Sequence, residues 1–147
     1  MIQRIQSIFL LLASACSFAL FGLPFATVQE KVADSALFAT DTLYNLNDST
    51  ALLGIYVVAG LLALVAIFLF KNRKQQTLIA RIAAVVNLVG IVLAVLLFMK
   101  DGVMESAVSP DDGLGLYTPV IGFILNLLAI RAIQKDDKLV KSMDRLR

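Results

Sequence analysis

The side chains able to do chemistry in this chain are few. Of its 147 residues none is His, and Cys16 is the single cysteine, so an internal disulfide and a Cys/His zinc site are both excluded. Ser14 and Ser17 stand in an oily stretch with no His to serve as base, which removes a serine-nucleophile reading. Asp111 and Asp112 are adjacent carboxylates of the kind that take a divalent cation, but Gly113 follows them, and that pattern reads as a turn. Gly113-Leu114-Gly115 lacks the following Lys and the preceding strand of a phosphate loop. We therefore expect no catalytic residue, no cofactor, no metal, and no enzyme.

What the chain has in abundance is hydrocarbon. It is 59% apolar and 16% charged, where soluble domains hold about 45–50% and about 25%. Four runs, 5–29, 49–70, 82–99 and 113–130, contain no Asp, Glu, Lys or Arg. A bilayer core about 30 Å thick needs roughly 20 mostly apolar helical residues. Stretch 51–70 fits best, with Tyr56 as its only polar residue, and 82–99 ends on Lys100, whose stem can snorkel. Stretch 114–130, "LGLYTPVIGFILNLLAI", is the weakest, with Pro119 near its start. The expected fold is all-α: one domain over 1–147, a polytopic bundle of four transmembrane helices (5–25, 51–70, 82–99, 114–130), with the fourth helix extended into the cytosol over 131–147.

Charge placement gives the orientation. Of thirteen Lys and Arg, all but Lys31 and Lys100 lie before residue 5, within 71–81, or after 130. Basic residues stay cytoplasmic in short loops, so both termini are expected inside. Eight of the eleven acids fall in the two outer loops, which makes that face electronegative. The start, "MIQRIQSIFLLLASACS", loosely resembles a lipoprotein signal, but the residues after Cys16, "SFALFGLPF", stay oily where a polar tether belongs. We expect no cleavage, with Cys16 packing inside the first helix.

Along the chain, Ser49 or Thr50 is the expected N-cap of the second helix, and Thr118-Pro119 is expected at N-cap and N1 of the fourth. Loop 26–50 fits a short hairpin or an interfacial helix, and its period does not choose between them. "KNRKQQTLIAR" (71–81) reads as a short inner loop forcing the second and third spans into a hairpin.

Two seams of small residues follow. In the third span Ala80, Ala83, Asn87, Gly90 and Ala94 recur at helical steps, and in the fourth Gly115, Pro119, Gly122, Asn126 and Ala129 do the same. Lipid gives apolar helices no hydrophobic reason to associate, so close backbone contact and interhelical hydrogen bonds must supply it. Asn87 lies six residues from Arg81 and Asn126 five from Arg131, about 9 and about 7.5 Å at the helical rise. The two amides are expected to face each other and bond, with lining a ligand or ion path as the rival reading.

Past residue 130 the helical pattern continues. Ala132, Leu139, Met143 and Leu146 share an apolar face, and Arg131, Lys135, Lys138 and Arg145 form a basic stripe beside it. This tail is read as gripping anionic headgroups, or as docking on a partner or on the 71–81 loop. A nucleic-acid site is not expected, since three acids and the lack of aromatics blunt the basic charge. No ionisable group lies within any of the four runs, unlike in four-span exporters that rely on an intramembrane Glu, and no His is present for a proton relay.

The two ends, "MIQRIQSIFLLLA" and "LAIRAIQKDDKLVKSMDRLR", resemble a family of small four-span inner-membrane proteins of Bacteroidota, a domain of unknown function. The resemblance implies a four-helix inner-membrane protein and carries no activity with it; Arg4 and Arg145-Leu146-Arg147 are the positions it marks. Two function classes stand open: a non-enzymatic scaffold or accessory subunit of a membrane complex, and a small oligomeric channel or transporter. The expected partners are the lipid bilayer, another membrane protein or a second copy.

Overall fold

Leu and Ala at helical spacing start α1 at Ile2–Ala19, and the chain leaves it through a turn closed by Phe21 N–H to Phe18 O and Gly22 N–H to Ala19 O. The computed structural model describes residues 2–29, 35, 37–38, 41–101 and 109–144. Gly22 and Pro24 end the helix six residues short of the expected 25, because Pro cannot continue it. Residues Gln6, Leu10, Ala13, Ser14 and Ser17 are its buried side.

Helix α2, Thr50–Phe68, is capped by Ser49, whose side chain accepts from Leu52 N–H. A tight turn, in which Asn72 N–H bonds Leu69 O, leads into α3, Arg73–Lys100, capped by the Asn72 side chain. The expected inner loop is thus helical from Arg73, and α3 starts nine residues before the charge-free run. Helix α4, Tyr117–Asp144, is continuous through Arg131. Its start differs from the expected cap. Tyr117 opens the helix after a 3-10 turn at Leu114–Leu116, and Thr118 Oγ1 donates to Gly115 O at 3.1 Å instead of accepting from the helix. Pro119 sits in the first turn, where its missing N–H costs nothing.

Helix α1 packs on α2 and α4, and α3 packs on the same two. Small residues fill the middle: Ala59, Ala63, Ala66, Ala80, Ala83 and Ala129 are all at 2% exposure or less, while Val58, Leu61, Val65, Phe68, Val85, Leu88 and Ile124 lie on the outside. A water-soluble bundle has the reverse order, large apolar side chains in and polar ones out. Three helical segments, Thr50–Phe68, Arg73–Lys100 and Leu114–Val140, are long and apolar enough to cross a membrane, while the apolar part of α1, Ile5–Ala19, is shorter.

The far end is closed by three two-residue strands. Strand β1 (Ala26–Thr27) lies between β2 (Leu43–Tyr44) and β3 (Asp111–Asp112), antiparallel to both. Among the described residues of 26–50 the strand alternative is therefore the one formed, and Asp111-Asp112 is an edge strand instead of a turn. Gly113 and Gly115 allow this. A Cβ on Gly113 would stand 2.1 Å from Pro24 O, and one on Gly115 2.5 Å from Leu23 O. Only a bare backbone fits there. Phe25, Phe38, Tyr44, Leu46, Leu52 and Tyr56 form the core under this cap. Tyr44 is its centre, with ring centroids 5.1 Å from Phe25 and 6.2 Å from Phe98.

Candidate functional site

Two features have the residue types to bind something: a polar seam inside the bundle and a basic cleft at its end. The seam comes from helical steps of three and four, which turn Ala83, Asn87, Gly90 and Ala94 of α3 and Gly122, Asn126 and Ala129 of α4 inward; all are buried. Asn87 is 0% and Asn126 1% exposed. The expected bond between them is not made. Asn87 Nδ2 and Oδ1 and Asn126 Oδ1 are without a hydrogen-bond partner. The reason is register: a Cβ on Gly122 would lie 3.2 Å from Asn87 Nδ2, so Asn87 faces Gly122, one turn and about 6 Å along the helix from Asn126. Cys16 of α1 closes the same contact, its Cβ also 3.2 Å from that point.

One turn outward, a Cβ on Gly90 would lie 3.1 Å from the Tyr56 hydroxyl, which is buried and unpartnered as well. Ser17 Oγ donates to Ala13 O within its own helix at 3.3 Å. Further out, Tyr44 donates to Ala94 O at 3.1 Å. Burial, with Asp48 and Asp101 nearby, pushes the Tyr44 phenol well above its ordinary range. From Asn126 to Tyr44 the interior therefore carries a row of uncharged polar groups. The sequence showed the two amides; it showed Tyr56 only as the polar residue of its run and did not place it beside them, because its neighbour across the bundle is not visible in sequence.

The basic cleft lies where α3 begins and α4 ends. Arg73 Nη2 pairs with Asp136 Oδ2 at 3.1 Å, the side chains 27% and 15% exposed. Gln6 Nε2 of α1 donates to Ala132 O at 3.2 Å. These contacts hold the tail of α4 against α1 and α3, and the seam continues into the tail through buried Ile133. Ile133 and Asp136 face the rest of the bundle, while Leu139, 44% exposed, is not packed on the 71–81 segment. Between α3 and α4 the fold leaves a cleft of about 400 Å³ lined by Arg73, Lys74, Thr77 and Arg81 on one side and Gln134, Asp137 and Lys138 on the other. Arg131 and Lys135 are exposed and outside it. Arg145, Leu146 and Arg147 lie outside the described residues, as do the side chains of Arg4 and Met143. The α3 half of this cleft was legible as Arg73, Thr77 and Arg81 at four-residue spacing, a signal lost when 71–81 is read as a loop.

A second cavity, about 350 Å³, opens at the strand end among Phe25, Tyr44, Phe98 and Leu116, with Asp111 and Asp112 at its rim. Among the described residues no group of three His, Cys, Asp or Glu converges. A family model described as a domain of unknown function, DUF4293, matches residues 2–146. The chain belongs to that family. No curated protein and no solved structure matches it. Membership spans nearly the whole of the chain, so seam, cleft and strand cap all lie within the family's domain.

Proposed function

We propose that this member of the family is a four-span protein of the bacterial inner membrane with both termini cytoplasmic. In this reading it acts by binding, as a non-enzymatic scaffold or accessory subunit of a membrane complex. The observation that carries it is the braced extension of α4. A 28-residue helix, about 42 Å long at the helical rise, outruns the hydrocarbon and is fixed at its cation-rich end by the Arg73–Asp136 pair and by Gln6. A rigid, charged end on a greasy anchor is a platform for a partner. The lipid-facing Leu and Val of α2, α3 and α4 support the spans, and the charge distribution supports the orientation.

The second reading, a small oligomeric channel or transporter, is favoured by one observation, the row of buried polar groups without partners at Tyr56, Asn87 and Asn126. Extraction in mild detergent followed by mass measurement separates the two. A different protein in the complex supports the scaffold, and a homo-oligomer supports the channel. Resistance to alkaline carbonate tests the spans, and reporter fusions at both ends test the orientation.

A further inference from the structure

We infer that the cleft between the first turns of α3 and the end of α4 binds the phosphate of an anionic phospholipid. The inference rests on the membrane spans proposed above but not on which face is cytoplasmic. Four cations, Arg73, Lys74, Arg81 and Lys138, line the cleft, and with Asp136 and Asp137 counted against them a net charge of +2 remains. Guanidinium groups meet phosphate oxygens in a bidentate fork, and ammonium groups add point charge. Arg73 is held in place through Nη2 by Asp136, while its buried Nη1 has no hydrogen-bond partner. Thr77 Oγ1 already donates to Arg73 O at 2.8 Å, so its remaining capacity is to accept. With the Gln134 amide it suits the hydroxyls of a glycerol headgroup. The N-terminus of α3 adds its positive end to the same space.

The surface beyond the cleft distinguishes a lipid from free phosphate. Leu88 stands two turns along α3 from Arg81, and Leu127 two turns along α4 from Gln134, both on the bilayer side and both exposed, at 44% and 38%. A phosphate held in the cleft has its acyl chains directed over these residues. The bilayer also presents its headgroups at the level where the charge-free runs begin, which is the level of Arg81.

The test uses the full chain in uncharged maltoside micelles, titrated with phosphatidylglycerol, phosphatidylcholine or inorganic phosphate and read by native mass spectrometry. Phosphatidylglycerol is expected to bind in preference to phosphatidylcholine. Arg81→Gln with Lys138→Gln leaves the Arg73–Asp136 pair intact and is expected to weaken it about thirtyfold, the effect of losing two cations from a headgroup contact. Arg131→Gln with Lys135→Gln removes the same charge outside the cleft and is expected to leave binding unchanged. Thr77→Phe fills the space without changing charge and is expected to match the first variant. Equal loss in the Arg131/Lys135 variant, full binding in the Arg81/Lys138 and Thr77 variants, or displacement of the lipid by millimolar inorganic phosphate would each overturn the inference. Carbonate extraction of the same variants reports the membrane reading separately, because it does not depend on lipid retention.

Discussion

The contact between Tyr56 and Gly90 gives the sharpest test of the interior packing. A Cβ at residue 90 would meet Tyr56 Cζ at 2.9 Å, Ile55 Cγ2 at 3.0 Å and the Tyr56 hydroxyl at 3.1 Å. Tyr56 is fully buried, so its ring has no solvent to swing into. Overpacking of this kind costs about 1–3 kcal/mol, partly offset by the roughly 1 kcal/mol that Ala gains over Gly within a helix. Gly90→Ala is therefore expected to lower stability by up to about 2 kcal/mol. Tyr56→Phe runs the other way: it deletes a buried hydroxyl that has no partner, and removing such a group is neutral or stabilising by about 1 kcal/mol. In the double variant the 3.1 Å contact disappears while the 2.9 Å contact stays, so the rescue is partial. A coupling of about 0.5–1 kcal/mol is expected from the double-mutant cycle. The assay is unfolding in mixed micelles against rising dodecyl sulfate, followed by far-ultraviolet circular dichroism. If Tyr56→Phe alone costs more than about 1 kcal/mol, the hydroxyl has a partner, and the account of the seam as a row of unpaired groups is wrong.

Three further outcomes follow from the same geometry. Asn87→Leu and Asn126→Leu are expected to be additive within about 0.5 kcal/mol in a double-mutant cycle, because no hydrogen bond joins the two amides; strong coupling would restore the paired arrangement. Gly113→Ala is expected to cost upwards of about 2 kcal/mol, since its Cβ would stand 2.1 Å from Pro24 O, a backbone atom that side-chain motion cannot clear; a melting temperature equal to wild type would contradict the close approach. For Tyr44 the folded phenol titrates above its unfolded value, so its contribution is intact at neutral pH and is lost as pH climbs past about 10. Tyr44→Phe should lower stability at neutral pH by about 1 kcal/mol through the lost bond to Ala94 O, and should flatten the alkaline decline in thermal unfolding; an unchanged decline would place that titration elsewhere.

The inward faces of α3 and α4 were legible because 3.6-residue periodicity survives in small residues. Ala80, Ala83, Asn87, Gly90 and Ala94 are all buried, and the steps of three and four between them were enough to find them. What spacing could not supply was the register between two helices. An offset of one turn decides whether Asn87 meets Asn126 or Gly122, and no single-chain pattern contains that distance. The strand cap was legible only as one of two readings of 26–50, for a related reason. Two-residue strands carry no period, and the pairing Ala26 with Asp112 joins segments 86 positions apart. The cleft was half legible, since Arg73, Thr77 and Arg81 fall on one face only if α3 begins at 73. Charge made that segment look like a loop, although it contains neither Gly nor Pro to break a helix.

The two ends of the molecule are closed by different kinds of bond, and this makes them respond differently to their surroundings. The strand end is held by backbone hydrogen bonds such as Gly113 N–H to Phe25 O at 2.9 Å and Phe25 N–H to Tyr44 O at 2.7 Å, over a core of aromatic rings packed at tilted, edge-on and stacked angles. Such bonds are insensitive to salt. At the basic end a partly exposed ion pair and an amide-to-carbonyl bond join the packing of buried Ile133, and charges there are screened over about 8 Å at physiological ionic strength. In the proposed cleft an anion meets Arg73 through Nη1 while Nη2 stays on Asp136, so the phosphate and the acid share one guanidinium. Of the two ends the basic one is therefore the salt-sensitive one, and added salt should weaken the Arg73–Asp136 pair before it touches the strand pairing.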